Sequence, residues 1–556
     1  MKLLALAPLL TLAACAHNIG APPRETAETA APAATAQVSL ETLQRATQEL
    51  SSDRYSGRAP ATPGEELTVQ YLSREFARAG LQPGNNGNWT QDVPLVEITA
   101  TNNPQLRVTG GAEPLTFNYR TDMVAASYRA QPRVSVDNSE IVFVGYGINA
   151  PERGWNDYAG VDVRGKTVII LVNDADWQAT GTAGPFNGRA MTYYGRWTYK
   201  YEEAARQGAA AALIVHDTAP ASYGWMTVQN SWTGPQLYAD NGRGGADQTI
   251  ANGWLTNEAA RRLLASAGQD LDALTRRAQQ PGFRAVPLGN LRASMTIENA
   301  IRRQASRNVI GILPGTTRPD EYVLYTAHWD HLGECAETGE DRICNGAVDN
   351  ASGTAALIAL AEAHARAGRN ERTLVFLAVT AEESGLLGSA YYANNPVFPL
   401  ALTAGGINID ALNFAGLSRD VVAIGAGKSE LDAYLARAAV GLTISPEPQP
   451  EAGYYYRSDH FSLAKQGVPM LYAESGEDLV NGGPAAGAAW QRDYRANRYH
   501  GVEDEWDSNW DWSGALRDVQ LYYRIGSELA NSRAWPNWVE GDEFRAIRDR
   551  SAAERR

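Results

Sequence analysis

The fold is decided by five stretches in the second half of the chain: RNVIGILPG (307–315), EYVLYTAH (321–328), ASGTAALIALAEAHARAG (351–368), RTLVFLAVT (372–380) and GGINIDAL (405–412). Four of them are short apolar runs typical of buried strands, and the third carries apolar residues at helical spacing. Strands that alternate with helices indicate a mostly parallel sheet with helices on both faces. We therefore predict an α/β fold built on such a central sheet.

Acidic and histidine side chains stand where these stretches end. They are His328 and Asp330 after the second run, Asp349 before the helix, Glu382 and Glu383 after the fourth run, and Asp410 after the fifth. Ligands of open α/β sheets bind beyond the carboxyl ends of the strands. We therefore expect these side chains to face one cleft, where His500 of the later motif RYH (498–500) can join them.

The residue types in this set suit zinc, which binds imidazole nitrogen and carboxylate oxygen. Such ligands can hold two Zn²⁺ ions about 3.5–4 Å apart that share one carboxylate. Asp330 lies two residues after His328, on the same face of an extended strand, and could hydrogen-bond its imidazole. Glu382 and Glu383 are adjacent, so one can bind metal while the other takes a proton from water.

Several motifs together resemble those of the di-zinc aminopeptidase and glutamate carboxypeptidase family: HWDHLG (328–333), NGAVDNASGT (345–354), VTAEESGLLGS (379–389), NIDAL (408–412) and RYH (498–500). The resemblance covers residues 38–125 and 300–530. It implies the zinc exopeptidase fold and an enzyme that hydrolyses the terminal peptide bond of peptides.

The resemblance also implies a role for each matching residue. One zinc would be held by His328 and Asp410 and the other by Glu383 and His500, with Asp349 bridging both. Glu382 would be the general base, and Asp330 the carboxylate behind His328. A tyrosine hydroxyl would stabilise the oxyanion. We predict Tyr455 for this role, from YYYRSDHF (454–461), and the rival is Tyr499, beside His500.

The resemblance leaves open which end of the peptide is cleaved. An aminopeptidase needs a carboxylate near the substrate amine, and Glu474 or Glu334 could serve. A carboxypeptidase needs cations for a terminal carboxylate, and Arg457 and Arg498 lie in the matching motifs. We favour an aminopeptidase. The alternatives are a carboxypeptidase, an acyltransferase of the glutaminyl-cyclase type with one zinc, and a binding module on the same scaffold.

Other histidines are predicted to be structural. His331 points away from His328 if the strand is regular, so it is placed behind the ligands or in a structural role. His364 lies on the predicted helix and is expected at the surface. The consecutive residues Ser458, Asp459 and His460 cannot form a serine-hydrolase triad, whose members come from separate elements.

The domain organisation predicted from the sequence has an inserted unit. Residues 38–129 would form the N-terminal part of the peptidase domain and residues 296–556 its catalytic part. Between them, residues 130–295 hold β-rich runs such as KTVIILVND (166–174) and resemble a protease-associated domain.

The N-terminus is typical of an exported lipoprotein. Residues 1–15 have a basic start, an apolar run too short to span a bilayer, and the ending LAAC at Cys15; residues 16–37 read as a flexible tether. We therefore expect a periplasmic protein anchored to the outer membrane by lipid.

The net charge of −14 excludes a nucleic-acid partner, since nucleic acids bind basic patches. The expected partners are peptide substrates, and the sequence does not give the oligomeric state.

The remaining two cysteines, Cys335 and Cys344, bracket a polar loop. Export would place them in an oxidising compartment, where disulfides persist. We therefore favour a disulfide bond between them over the alternative of two free thiols.

Overall fold

A computed structural model of the chain describes residues 37–335, 339–368 and 370–555. The predicted signal peptide and all of the predicted tether except Gln37 lie outside the described residues. Among the described helices, none combines the length and the apolar character that crossing a membrane requires.

The first two α-helices of the chain each begin at a residue suited to a helix N-terminus. Ser39 caps α1 by accepting a hydrogen bond from the amide of Thr42, and Pro63 opens α2, as proline does at a first helical turn. The helices are α1 (Leu40–Leu50), α2 (Pro63–Arg78), α3 (Trp197–Arg206), α4 (Thr218–Ala221), α5 (Trp225–Ser231), α6 (Asn257–Ser266), α7 (Leu271–Ala278), α8 (Gly353–Ala367), α9 (Leu387–Asn394), α10 (Leu431–Ala438), α11 (His460–Ala464), α12 (Gly483–Asn497), α13 (Ser513–Asn531) and α14 (Arg545–Arg550).

The strands fall into two main groups that share one long strand, and small pairings lie outside them. They are β1 (Gln82–Pro83), β2 (Thr90–Ala100), β3 (Leu106–Thr109), β4 (Leu115–Phe117), β5 (Met123–Ala126), β6 (Arg133–Phe143), β7 (Asn149–Ala150), β8 (Trp155–Asn156), β9 (Thr167–Leu171), β10 (Ala211–Val215), β11 (Pro235–Ala239), β12 (Ala251–Leu255), β13 (Val286–Leu313), β14 (Arg318–His328), β15 (Gly333–Glu334), β16 (Ile343–Cys344), β17 (Arg372–Val379), β18 (Thr403–Asn408), β19 (Asp420–Ala423), β20 (Thr443–Ser445) and β21 (Met470–Ser475).

The central sheet has a parallel core in the order β17, β14, β18, β21. Every residue of β17 and β18 is buried, as expected for strands covered on both faces. Antiparallel strands extend this core, because β13 pairs with β17 and β2 pairs with β13. The predicted α/β fold with a mostly parallel central sheet is confirmed.

Helices α8 and α13 cover this core. The residues of α8 are buried over nearly its whole length, because α1 packs on it from one side and α13 from another. Leu43 and Leu50 of α1 are fully buried in this packing. Helix α1 is therefore part of the same folded unit as α8 and the central sheet.

The inserted unit is built on the second group of strands. Strands β9 and β10 run parallel, β10 also runs parallel to β12, and β6 pairs with both β9 and β13. Strands β3, β4 and β5 belong to the same group, because β3 pairs with β13 and β5 pairs with β12. The unit therefore includes residues 106–126, and the boundary predicted at residue 130 falls inside it.

Strand β13 connects the two groups directly. Its first half pairs with β6 of the inserted unit, and its second half pairs with β2 and β17 of the central sheet. Strand β11 makes a second link, since it lies within the inserted segment but pairs with β2. The two units are thus joined by continuous backbone hydrogen bonding.

Candidate metal centre

The predicted metal ligands all lie at the carboxyl edge of the parallel core. His328 is the last residue of β14, Asp410 follows β18 by two residues, and Glu383 follows β17 by four. Asp349 lies in the turn before α8, and His500 follows α12. Parallel strands end at the same edge, so the topology brings these separate motifs together.

One group of contacts surrounds His328. Its Nε2 atom lies 3.2 Å from Oδ1 of Asp349 and 3.2 Å from Oδ1 of Asp410. Glu382 belongs to the same group, because one ligand atom each of His328, Glu382 and Asp410 can be chosen within 4.8 Å of one another. These side chains form the first half of a candidate metal centre.

A second group surrounds His500. Its Nε2 atom lies 3.3 Å from Oδ2 of Asp349 and 3.0 Å from Oε2 of Glu383. Asp349 therefore presents one carboxylate oxygen to His328 and the other to His500. This is the arrangement that a carboxylate bridging two cations requires.

The charges in this cluster depend strongly on one another. Burial opposes the charged form of Asp349, but the imidazoles of His328 and His500 outweigh it and hold the pKa of Asp349 well below its usual range. Burial likewise opposes the charge on His500, yet its contacts with Asp349 and Glu383 raise its pKa to about 10. Each imidazole thus lies against two carboxylates, where a cation shared between the imidazole and the carboxylates could bind.

The donor set fits zinc. It consists of imidazole nitrogens and carboxylate oxygens, the ligand types that zinc takes outside cysteine sites. Oδ1 of Asp349 is buried and makes no well-formed hydrogen bond to the described residues, although Nε2 of His328 is close to it. A buried carboxylate oxygen without such a donor is costly unless a cation satisfies it.

Glu382 has the surroundings of a proton acceptor. Burial and the charges of Asp410 and Glu383 hold its pKa well above its usual range. A carboxylate with a raised pKa binds a proton more readily near neutral pH, which suits general base and acid work.

Asp330 lies behind His328, but its carboxylate does not bond the imidazole. Oδ1 of Asp330 is 3.8 Å from Nδ1 of His328 and accepts a hydrogen bond from the amide of Glu382 at 3.1 Å. Nδ1 of His328 lies instead 3.2 Å from the backbone carbonyl oxygen of Asp330. Burial raises the pKa of Asp330 to about 7. Asp330 therefore contacts the amide of Glu382 and orients His328 through its main chain.

Tyr455 and Tyr499 occupy different environments. The Tyr455 hydroxyl points into the protein and donates to the carbonyl oxygen of Met470 at 3.4 Å, with Lys428 over its ring. Tyr499 is 48% exposed and its ring stacks on the ring of His500, with centroids 3.9 Å apart. Partial burial and the charges of Asp349 and Glu383 raise the pKa of Tyr499 above its usual range. The geometry thus favours Tyr499 over the predicted Tyr455 as the tyrosine beside the cluster.

His331 and His364 are both buried. Nδ1 of His331 lies 2.6 Å from Oε1 of Glu383, so His331 stands behind that ligand, as the sequence interpretation allowed. The surface position predicted for His364 is wrong, because its Nε2 atom bonds the hydroxyl of Tyr325 at 2.8 Å in the interior. The disulfide predicted between Cys335 and Cys344 is confirmed.

The two carboxylates considered for binding a substrate amine, Glu474 and Glu334, lie in different surroundings. Asn408 of β18 pairs with Tyr472 of β21, and the hydroxyl of Tyr472 donates a hydrogen bond to the carbonyl oxygen of Asp410 at 3.4 Å. Glu474 lies two residues beyond Tyr472 on the same strand. Burial, together with the charge of Asp410, raises the pKa of Glu474. Glu334, in contrast, is exposed and paired with Arg342.

The two arginines named for a carboxypeptidase differ as well. Arg498 is paired with Asp493 at 3.0 Å. Arg457 lies over the ring of Tyr454, and its buried Nε and Nη2 atoms have no hydrogen-bond partner among the described residues.

Two residues at the cluster were not predicted from the sequence. Asp504 accepts hydrogen bonds from the amides of Val348 and Asp349, and the guanidinium of Arg58 binds the carbonyl oxygens of Trp329 and Gly346. Asp504 follows His500 by four residues, a spacing that could have drawn attention to it. Arg58 lies far from every motif and gives no such signal.

Relatives of known activity match short parts of the chain. Aminopeptidase NAALADL1 of Mus musculus is 31% identical over 144 residues, which are 24% of this chain and 18% of that protein. Glutamate carboxypeptidase 2 homolog of Caenorhabditis elegans is 32% identical over 117 residues, 20% of this chain and 13% of that protein. The matched stretches therefore span less than a fifth of the length of these curated relatives.

Solved structures align over most of the chain. The aminopeptidase from Aneurinibacillus sp. strain AM-1 gives a TM-score of 0.48 at 20% identity and covers 89% of this chain and 95% of its own. The zinc aminopeptidase BSAP from Bacillus subtilis gives a TM-score of 0.41 at 15% identity, with 90% and 98% covered.

The fold and the donor set define a class, that of α/β proteins with a metal centre at the carboxyl edge of the sheet. Within this class, residues 308–524 of the chain match the model of peptidase family M28. The matched residues include all of the clustered side chains.

Proposed function

We propose that this protein is a zinc-dependent aminopeptidase that removes N-terminal residues from peptides. The observation that carries the proposal is the position of Asp349 between two sets of ligands, His328 with Asp410 and His500 with Glu383. These five side chains would hold two Zn²⁺ ions, with Asp349 as the bridge.

Bound zinc would polarise the substrate carbonyl and acidify the attacking water. Glu382 takes a proton from that water and later delivers it to the leaving amine, a role for which its raised pKa suits it. The Tyr499 hydroxyl, beside His500, donates a hydrogen bond to the oxyanion of the tetrahedral intermediate.

Glu474 supports cleavage at the amino end. It lies on β21, two residues beyond Tyr472, whose hydroxyl donates a hydrogen bond to the carbonyl oxygen of Asp410. A carboxylate in this position can bind the free ammonium group of a peptide while the first peptide bond lies at the metals. Glu334, exposed and paired with Arg342, is not placed for this task.

The test is a mixed peptide library incubated with zinc-loaded protein and read by mass spectrometry. Shortening from the amino end, abolished by chelator and restored by zinc, is the expected result. Glu474→Gln should raise KM for free peptides, while the matched variant Glu334→Gln should leave it unchanged. Intact peptides across the library would end the proposal, and a content of one zinc per chain would favour an acyltransferase instead.

A carboxypeptidase is the second candidate, and one observation favours it. Arg457 has buried nitrogen atoms without hydrogen-bond partners among the described residues, and such a guanidinium could bind a terminal carboxylate. The same library separates the two activities, because a carboxypeptidase would shorten peptides from the other end and spare peptides with an amidated C-terminus.

We also propose that the protein is exported and anchored by lipid at Cys15. The support is the apolar N-terminal run ending in LAAC, together with the disulfide bond between Cys335 and Cys344, since disulfides persist mainly outside the cytosol. Metabolic labelling with a fatty acid should mark the wild type and leave Cys15→Ser unlabelled.

A further inference from the structure

Arg58 is a fully buried arginine whose side chain bonds only to main-chain oxygens among the described residues. Its guanidinium donates to the carbonyl oxygens of Leu50 at 2.7 Å, Trp329 at 2.8 Å, Asn345 at 2.6 Å and Gly346 at 3.0 Å. Gly57 permits this approach, because a Cβ atom there would come within 2.6 Å of the carbonyl oxygen of Cys344. The Arg58 side chain thus connects the end of α1 with the segments that contain Trp329 and Asn345.

Three of these carbonyl groups, those of Trp329, Asn345 and Gly346, belong to two ligand-bearing segments. Trp329 follows His328 directly, while Asn345 and Gly346 lie just before Asp349. One rigid guanidinium therefore joins the segment that carries His328 to the segment that carries Asp349. The planar guanidinium donates hydrogen bonds in fixed directions to both segments, which a lysine ammonium cannot do.

Asp504 holds the same segment from another direction. Its carboxylate accepts hydrogen bonds from the amides of Val348 and Asp349, both at 3.0 Å, and from the hydroxyl of Tyr494 at 3.1 Å. Asp504 follows His500 by four residues. The segment 345–349 is therefore bonded through its carbonyl groups to a buried cation and through its amides to a buried anion.

The charge of Arg58 also faces the metal centre. Burial lowers its pKa to about 10, so the group stays protonated at neutral pH, and Asp330, Asp504, Asp349 and Glu383 are the carboxylates that favour its charge. No ion pair of Arg58 within 4.0 Å is found in the described part of the chain. Its charge thus offsets the excess of carboxylates without blocking any of their oxygens.

We infer that Arg58 and Asp504 are positioning residues that fix the segment 345–349, so that Asp349 can contact His328 and His500 at the same time and bridge two cations. The inference rests on the proposed binding of two zinc ions. Arg58 lies outside residues 308–524, so the matched peptidase domain would depend on a residue upstream of it.

A matched control exists in the same chain. Arg548 is also buried, and among the described residues its side chain bonds only main-chain oxygens, those of Thr403, Ala404 and Pro536. Thr403 begins β18, whereas Asp410 lies beyond the end of that strand. Arg548 therefore supports the opposite edge of the sheet, and Arg548→Lys should alter stability without altering the metal centre.

The experiment compares full-length wild type with Arg58→Lys, Asp504→Asn and Arg548→Lys. Zinc content is measured by mass spectrometry of the metal, zinc release by a chromophoric chelator, and amide hydrogen exchange across residues 345–349. We expect both site variants to release zinc about 10- to 100-fold faster, the range found for residues that orient metal ligands. We also expect faster exchange at Val348 and Asp349, and Arg548→Lys to match the wild type in both readouts.

Folded Arg58→Lys and Asp504→Asn proteins with wild-type zinc release and exchange would overturn the inference. If Arg58→Lys does not fold, Asp504→Asn decides alone. A wild type that holds two zinc ions but cleaves no peptide would contradict the proposed function and leave this comparison intact. A wild type that retains no zinc would overturn both.

Discussion

Glu382 and Glu383 are adjacent residues with different surroundings. Glu383 contacts His331 and His500, whereas Glu382 carries a pKa well above its usual range. Glu382→Gln should therefore retain zinc but lose about 10²–10⁴-fold in kcat, the usual contribution of a general base, with little change in KM. Glu383→Gln should lose zinc itself. Metal analysis beside steady-state kinetics distinguishes the two, and an active Glu382→Gln enzyme would remove this residue from the mechanism.

Tyr499 and Tyr455 allow a paired test at the same scale. Tyr499→Phe should lower kcat about 10²–10³-fold if its hydroxyl stabilises the oxyanion. Tyr455→Phe should leave kcat near that of the wild type and reduce stability by about 1 kcal/mol, since only its internal hydrogen bond to Met470 is lost. Kinetics and urea unfolding of both variants check this, and the reverse pattern would restore Tyr455 to the site.

The clustering of His328, Asp410 and Glu383 could be predicted at the level of single residues, because each lies at or just beyond the end of a recognisable strand. The choice between Tyr455 and Tyr499 could not, since both lie in matching motifs and only tertiary packing directs one hydroxyl toward Met470. Arg58 could not be predicted either. Its partners are carbonyl groups from distant segments, and main-chain atoms leave no trace in the residue pattern.

At the scale of elements, α8 shows why helical spacing misplaced His364. A helix with one solvent face would expose this position, but α1 and α13 cover α8, and its buried residues occupy nearly the whole helix. The identity of those neighbours is not encoded in the sequence of α8. The boundary predicted at residue 130 failed for a similar reason, because β5 finds its partner β12 more than a hundred residues later.

The burial of His364 predicts a pH dependence of stability. Burial lowers its pKa to about 3, against about 6.5 in an unfolded chain, so protonation favours the unfolded state. The contribution is fully present above pH 6.5 and is lost as the pH falls toward 3. At pH 5 the loss amounts to about 2 kcal/mol.

The variant His364→Gln isolates this effect, because glutamine keeps an amide donor for Tyr325 but does not titrate. Urea unfolding at pH 7 and pH 5 should show a smaller loss of stability in the variant than in the wild type, by about 2 kcal/mol. His460, also buried with a pKa of about 3, is present in both proteins and cancels. Equal losses in the two proteins would contradict the assignment.

At the scale of the whole molecule, the residues that match the family model are fewer than the residues that pack together as one folded unit. The match covers residues 308–524, yet α1 packs on α8 and β2 pairs with the long strand β13. We expect a fragment of residues 308–524 to be insoluble, because the apolar surface of α8 that Leu43 and Leu50 cover would be exposed. A fragment of residues 37–556 should remain soluble and retain zinc, which size-exclusion chromatography and metal analysis can check.

Strand β13 has a consequence for how the molecule can move. It extends over 28 residues, pairs with β6 along residues 286–298 and with β2 along residues 299–309. A rotation of the inserted unit relative to the central sheet would have to break the hydrogen bonds of one of these ladders, so β13 does not act as a hinge. We therefore expect the inserted unit and the central sheet to move together as one body at this strand.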